Sequence, residues 1–141
     1  MKKLFILLLT ALSLYANEAS VAAKKLGYLN SFDEAIAKAK KENKMVMLVL
    51  VRDGCPWCKR MEEGTFNDSF ITDETKNFVN ALVDKNDPMP EDFRTPVVPV
   101  VYFVNPNTKE ILWDLVGYKN VGDFLEDIEH AKAEFAKVKK H

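Results

Sequence analysis

The sequence predicts an α/β fold, and three observations carry that prediction. Residues 45–51 form an unbroken apolar run without a charge, closed by Asp53-Gly54 and followed at once by Cys55-Pro56-Trp57-Cys58. Two further β-rich runs, 97–104 and 111–116, flank Asn105-Pro106-Asn107-Thr108, the mark of a hairpin. Helical spacing links Phe32, Ile36 and Ala39 before the first strand, and Val121, Phe124, Leu125, Ile128 and Phe135 at the end. Strands interleaved with helical patterns imply a layered α/β domain.

The first residues read as an address. Met1-Lys2-Lys3 is basic, and residues 4–14 are apolar except for Thr10 and Ser13. Such a stretch is short for a membrane span and fits the core of an export signal. Cleavage after Ala16 is the first choice and after Ser13 the second; an uncleaved membrane anchor is the alternative. No cysteine lies near either site, so a lipid anchor is not expected. The division is therefore a signal peptide over 1–16, a lead-in over 17–30 and one domain over 31–141, delivered to a bacterial periplasm where disulfide chemistry is permitted.

Within the domain, Ser31-Phe32-Asp33-Glu34 is a capping box that starts a helix, and Asn43 ends it. The apolar run 45–51 has the length and composition of a strand buried on both faces. Pro56 suits the first turn of the next helix, where a missing N–H costs nothing. That helix runs through Lys59, Arg60, Met61 and Glu62 until Gly64 interrupts it. Residues 65–69 form a break and a new cap, and Phe70, Ile71, Thr75 and Phe78 mark a second helical piece. A strand over 78–83 leads into a stretch, 85–99, with four prolines, which excludes a long regular helix there. Phe93 is the residue expected to pin this loop to the body. Gly117 ends the hairpin, and Asn120 caps the last helix, whose C-terminal end is favoured by Lys137, Lys139 and Lys140.

Composition narrows the function. The chain has 141 residues, 48% hydrophobic and 29% charged, enough for one domain with a core. Its formal net charge of −1 gives no sign of a nucleic-acid or acidic-membrane partner. The two histidines, His130 and His141, both lie near the C-terminus, so neither a His-rich metal cluster nor any other cofactor is expected.

The chemistry lies in Cys55 and Cys58, the only cysteines. Two intervening residues on a helical turn bring two sulfurs within bonding reach. At a helix N-terminus, unpaired N–H groups and the helix dipole favour a thiolate. Cys55 is thus expected to be the exposed nucleophile, and Cys58, one turn in, the buried resolving thiol. The bland readings are a structural disulfide, which in so small a loop constrains little, and half of a zinc site, which lacks its other ligands. Trp57 can equally be an exposed aromatic without a role, and Pro99 an ordinary trans proline at a strand start.

Taken together, the Cys-Pro-Trp-Cys motif after a buried strand, Val98-Pro99 opening the hairpin and Gly117-Tyr118 before the last helix resemble the thioredoxin superfamily over roughly residues 32–136. Residues 39–44, with Lys59, Met61, Thr65 and Phe66, look most like small exported bacterial thioredoxin-related proteins and the C-terminal domain of membrane thiol–disulfide interchange reductases. The resemblance implies a thioredoxin-like fold, a central mixed β-sheet flanked by helices. It implies that Pro99 is cis and packs beside the dithiol. It also implies that the backbone of Val98 pairs with an extended substrate peptide, with Trp57, Val98 and Tyr118 as an apolar rim. Two departures stand out. The buried acid that many relatives carry six positions before the first cysteine is Val49 here, which leaves proton transfer to water or another carboxylate such as Asp53. The histidine found between the cysteines of strong oxidants is Trp57.

These readings make the chain an exported thiol–disulfide oxidoreductase, a reductant or moderate exchanger rather than a strong oxidant. Its expected partners are protein thiols or disulfides of the envelope and a membrane redox partner that recharges the dithiol. A monomer is expected. The alternative is a thioredoxin-fold binding module that holds a partner or an unfolded chain without redox turnover.

Overall fold

The computed structural model describes residues 16–140; the expected export segment, Ala16 apart, lies outside them. The elements run α1 (Glu18–Leu26), α2 (Phe32–Glu42), β1 (Val46–Val51), α3 (Pro56–Glu63), α4 (Ser69–Thr75), β2 (Val79–Asp84), β3 (Val100–Val104), β4 (Ile111–Val116) and α5 (Val121–Val138). Single 3-10 turns occupy Thr65–Asn67 and Glu91–Phe93.

The four strands form one mixed sheet in the order β2-β1-β3-β4. β1 is central, parallel to β2 and antiparallel to β3, so Leu48 lies between Ala81 and Tyr102. All six of its residues are buried, because side chains alternate between two packed faces. Met47, Val49 and Val51 join the core under α1, α3, α4 and α5. Val46, Leu48 and Leu50 join the second core, under α2. This sandwiching explains why the run reads as continuously apolar rather than alternating.

Helix ends follow local chemistry. Ser31 Oγ accepts from the Glu34 N–H, and Asn43 closes α2 in the left-handed conformation, φ 53°. Asn120 Oδ1 accepts from Asp123 N–H at the start of α5, and Asp68 caps α4. β3 begins only at Val100, later than the β-rich run from 97, because Pro99 has no N–H for a ladder. Phe93 is buried against Phe32 and Tyr102, which ties the proline-rich loop to the second core.

The largest addition to the sequence reading is α1, which occupies the stretch read as a lead-in. Asn17 caps it through the Ser20 N–H, and Gly27 ends it at φ 71°. Ala19, Ala22 and Ala23 are buried in the same core as Met47 and Val49. Leu29 then bonds to both Asn80 and Leu82, which covers the outer edge of β2.

Candidate active site

β1 ends at the base of the site, and Arg52 to Gly54 turn the chain into α3. Gly54 sits at φ +68°, a conformation that a side chain would strain. Cys55 is the N-cap of α3, Pro56 its first residue, and Cys58 lies one turn in. The two cysteines form a disulfide, their Cα atoms 5.3 Å apart. Cys55 Sγ also accepts from the Cys58 N–H at 3.2 Å, so the sulfur stands at the unpaired amide end of the helix.

The pair is less open than the sequence suggests. Cys55 is 6% exposed and Cys58 2%, so Cys55 is the more accessible of two buried residues rather than an exposed thiol. Both belong to the core that contains Val49 and Met61, with Val98 and Tyr118 packed against it. Val49, six positions before Cys55, is therefore a buried apolar residue of the same core as the sulfurs. Asp53 is exposed, and its Oδ1 accepts from the Glu18 N–H at 3.0 Å.

Beside the dithiol lies a shallow, mainly apolar depression of about 300 Å³ lined by Trp57, Val98, Pro99, Gly117 and Tyr118. The Val98–Pro99 peptide bond is cis. The Pro99 carbonyl accepts from the Gly117 N–H at 2.8 Å, which joins the start of β3 to the end of β4. Thr65 Oγ1 donates to the Lys119 carbonyl at 2.7 Å and anchors the Gly117–Asn120 segment to the end of α3. Trp57 is 53% exposed, and its ring lies 5.4 Å from that of Tyr118. The structure thus brings Trp57, Val98, Pro99 and Tyr118 to one place.

Two residues of this region escape sequence reasoning. The Arg60 guanidinium lies 5.4 Å from the Trp57 ring centre and 5.3 Å from that of Tyr118, a cation over two rings. Its only sequence signal is the i, i+3 spacing from Trp57. Glu62 is half-buried, and burial raises its pKa. Lys59 opposes the shift, Glu18 and Glu63 add to it, and Lys25 opposes it. The folded protein therefore holds this proton more tightly than the unfolded chain, and Glu62 costs stability as pH rises through the carboxylate range. Glu62→Gln should raise Tm slightly at pH 7, and the gain should vanish below about pH 4. Melting curves of the two proteins across that range check it; a loss at pH 7 would refute it.

Comparison with known proteins agrees with this architecture. A family model described as thioredoxin-like matches residues 28–106, more than half of the chain. The thiol:disulfide interchange protein DsbD of Campylobacter jejuni strain RM1221 is 29% identical over 117 residues, 79% of this chain but 20% of that protein. Among the curated relatives that match, the chain spans between 7% and 20% of their length. A thioredoxin from Thermus thermophilus superposes with a TM-score of 0.68 at 23% identity, covering 77% of this chain and 88% of that one. The oxidised DsbD C-terminal domain of Neisseria meningitidis superposes with a TM-score of 0.60 at 21% identity, covering 74% and 98%. At these identities the likeness to both structures is one of fold.

Proposed function

The chain belongs to the thioredoxin-like family, and from that premise we propose that it is an exported thiol–disulfide oxidoreductase working through Cys55 and Cys58. The observation that carries the reading is the disulfide at the N-terminus of α3, with Cys55 as the cap and the more accessible sulfur. In the reducing direction, the Cys55 thiolate attacks one sulfur of a partner's disulfide. The partner's S–S bond breaks, a mixed disulfide forms, and one partner thiolate leaves. Cys58, deprotonated, then attacks Cys55 Sγ and releases the second thiolate. The partner gains two electrons and takes up two protons, and the protein is left with the Cys55–Cys58 bond. A thiol donor must restore the dithiol, and we assign that role to a membrane redox partner, in keeping with the likeness to the interchange proteins.

The substrate enters as an extended segment along Val98, which stands outside the β3 ladder. Trp57, Pro99 and Tyr118 supply the apolar contact. Reduction or moderate exchange is favoured over strong oxidation because Trp57 offers no cation to a thiolate between the cysteines. Periplasmic placement rests on the basic-then-leucine leader over 1–16. Among the described residues, no helix is long and apolar enough to cross a membrane.

Alkylation of the reduced protein tests the nucleophile. At pH 7 Cys55 should be modified about tenfold faster than Cys58, read by mass spectrometry of peptides. Faster labelling of Cys58 would reverse the assignment. Equilibration with glutathione tests the direction: a potential nearer about −270 mV than about −120 mV fits the reductant. A dithiol that never equilibrates would leave the binding module as the better reading.

A further inference from the structure

Helix α1 lies wholly ahead of the family match, which begins at residue 28, yet it reaches the dithiol turn. The Glu18 N–H donates to Asp53 Oδ1 at 3.0 Å, and the Gly54 N–H donates to Glu18 Oε2 at 3.0 Å. Backbone and side chain of one residue thus grip both residues of the turn. The grip is anchored from behind, because Asn17 caps α1 and Ala19, Ala22 and Ala23 are buried. Gly54 N is three bonds upstream of the Cys55 nitrogen, and Gly54 holds φ +68° with nothing within 4 Å of where a Cβ would stand. Apart from its chain neighbours, nothing packs where a Cβ of Gly54 would stand, and the Gly54 N–H is fixed by donating to Glu18 Oε2.

We propose that Glu18 is a positioning residue of the dithiol, holding the Asp53–Gly54 turn that presents Cys55 and placing beside it a negative charge that disfavours the thiolate. The redox consequence rests on the oxidoreductase reading. A disulfide is neutral, so a nearby carboxylate penalises only the reduced, ionised form, and the potential moves in the reducing direction. Arg52 precedes the turn and Asp53 is part of it, and Lys25, Lys59, Glu62 and Glu63 line the same cavity of about 160 Å³ as Glu18. Glu18 is therefore one charge among several of both signs. Its effect on Cys55 is severalfold rather than orders of magnitude.

Two substitutions separate the roles. Glu18→Gln keeps an acceptor for the Gly54 N–H and removes the charge; Glu18→Ala removes both. In the full chain, reduced with dithiothreitol, Cys55 alkylation is followed against pH, and equilibrium with glutathione is measured beside it. Glu18→Gln should alkylate about threefold faster below the Cys55 midpoint. Above that midpoint its glutathione equilibrium should shift about threefold toward the dithiol, or about 14 mV, with a melting temperature close to that of the wild type. Glu18→Ala should in addition melt earlier and exchange the Gly54 amide faster. Wild-type alkylation profiles in both variants would overturn the proposal, and so would slower alkylation in Glu18→Gln. Alkylation needs no turnover, so failure of the wild type to exchange with glutathione would remove the oxidoreductase reading and still leave Glu18 tested.

Discussion

Cys58→Ala should convert the protein into a trap for its partners. Once Cys55 has attacked a partner's disulfide, release depends on a second sulfur already in place. Here that sulfur sits across a separation of 5.3 Å between Cα atoms. A group held so near acts at an effective concentration far above that of any solution thiol, so its removal should lengthen the life of the mixed disulfide by at least about a thousandfold. Turnover by the dithiol route should stop, while Cys55 stays alkylatable. Non-reducing electrophoresis of envelope extracts should show adducts that dithiothreitol dissolves, and Cys55→Ala should abolish them. If Cys58→Ala gives no adducts although its Cys55 reacts with iodoacetamide, the protein is a binder rather than an exchanger.

Phe124→Ala should produce the largest loss of stability among single side-chain truncations near the site. The Phe124 ring is fully buried on α5 and meets Phe66 at 5.5 Å and Phe103 at 6.4 Å between ring centres. It thereby joins α5 to the 3-10 turn after α3 and to β3. Deleting a buried aromatic ring costs about 3–5 kcal/mol, part in lost transfer energy and part in the cavity left behind. For a domain of this size, Tm should fall by roughly 10–20 °C. The urea midpoint should fall with an unchanged slope, which marks lost stability rather than a changed unfolded state. Phe70→Ala offers the contrast: that ring is 69% exposed, and its loss should stay within about 0.5 kcal/mol. A cost for Phe124→Ala below about 1.5 kcal/mol would mean that the three elements are not coupled through this ring.

Much of the architecture is legible because its causes are local. Ser31, Asn43, Asp68 and Asn120 bond within a few residues of themselves, so each helix end is written beside the place where it acts. The charge-free run that forms β1 admits few structures other than a strand covered on both faces. Cys55-Pro56-Trp57-Cys58 carries its own helix start. The same kind of signal is present for α1, in Asn17, Glu18 and Gly27, but the helix carries no large apolar stripe. Its buried residues are three alanines, with Leu26 packed at the margin of the core, and small side chains leave a weak periodic mark.

By itself, then, the sequence determined the fold class, the family resemblance and the dithiol, since these rest on patterns that are each local to a short stretch of the chain. Tertiary structure alone decided what surrounds the sulfurs. Glu18 reaches Gly54 across 36 residues, and Thr65 reaches Lys119 across 54. Arg60 finds Tyr118 only because the loop after β4 returns to α3. Cys55 is nearly closed to solvent because its helix start is packed into the core rather than laid on the surface. Such contacts depend on how the elements dock. Docking is set by the summed burial of many side chains, a quantity that no single stretch of sequence carries.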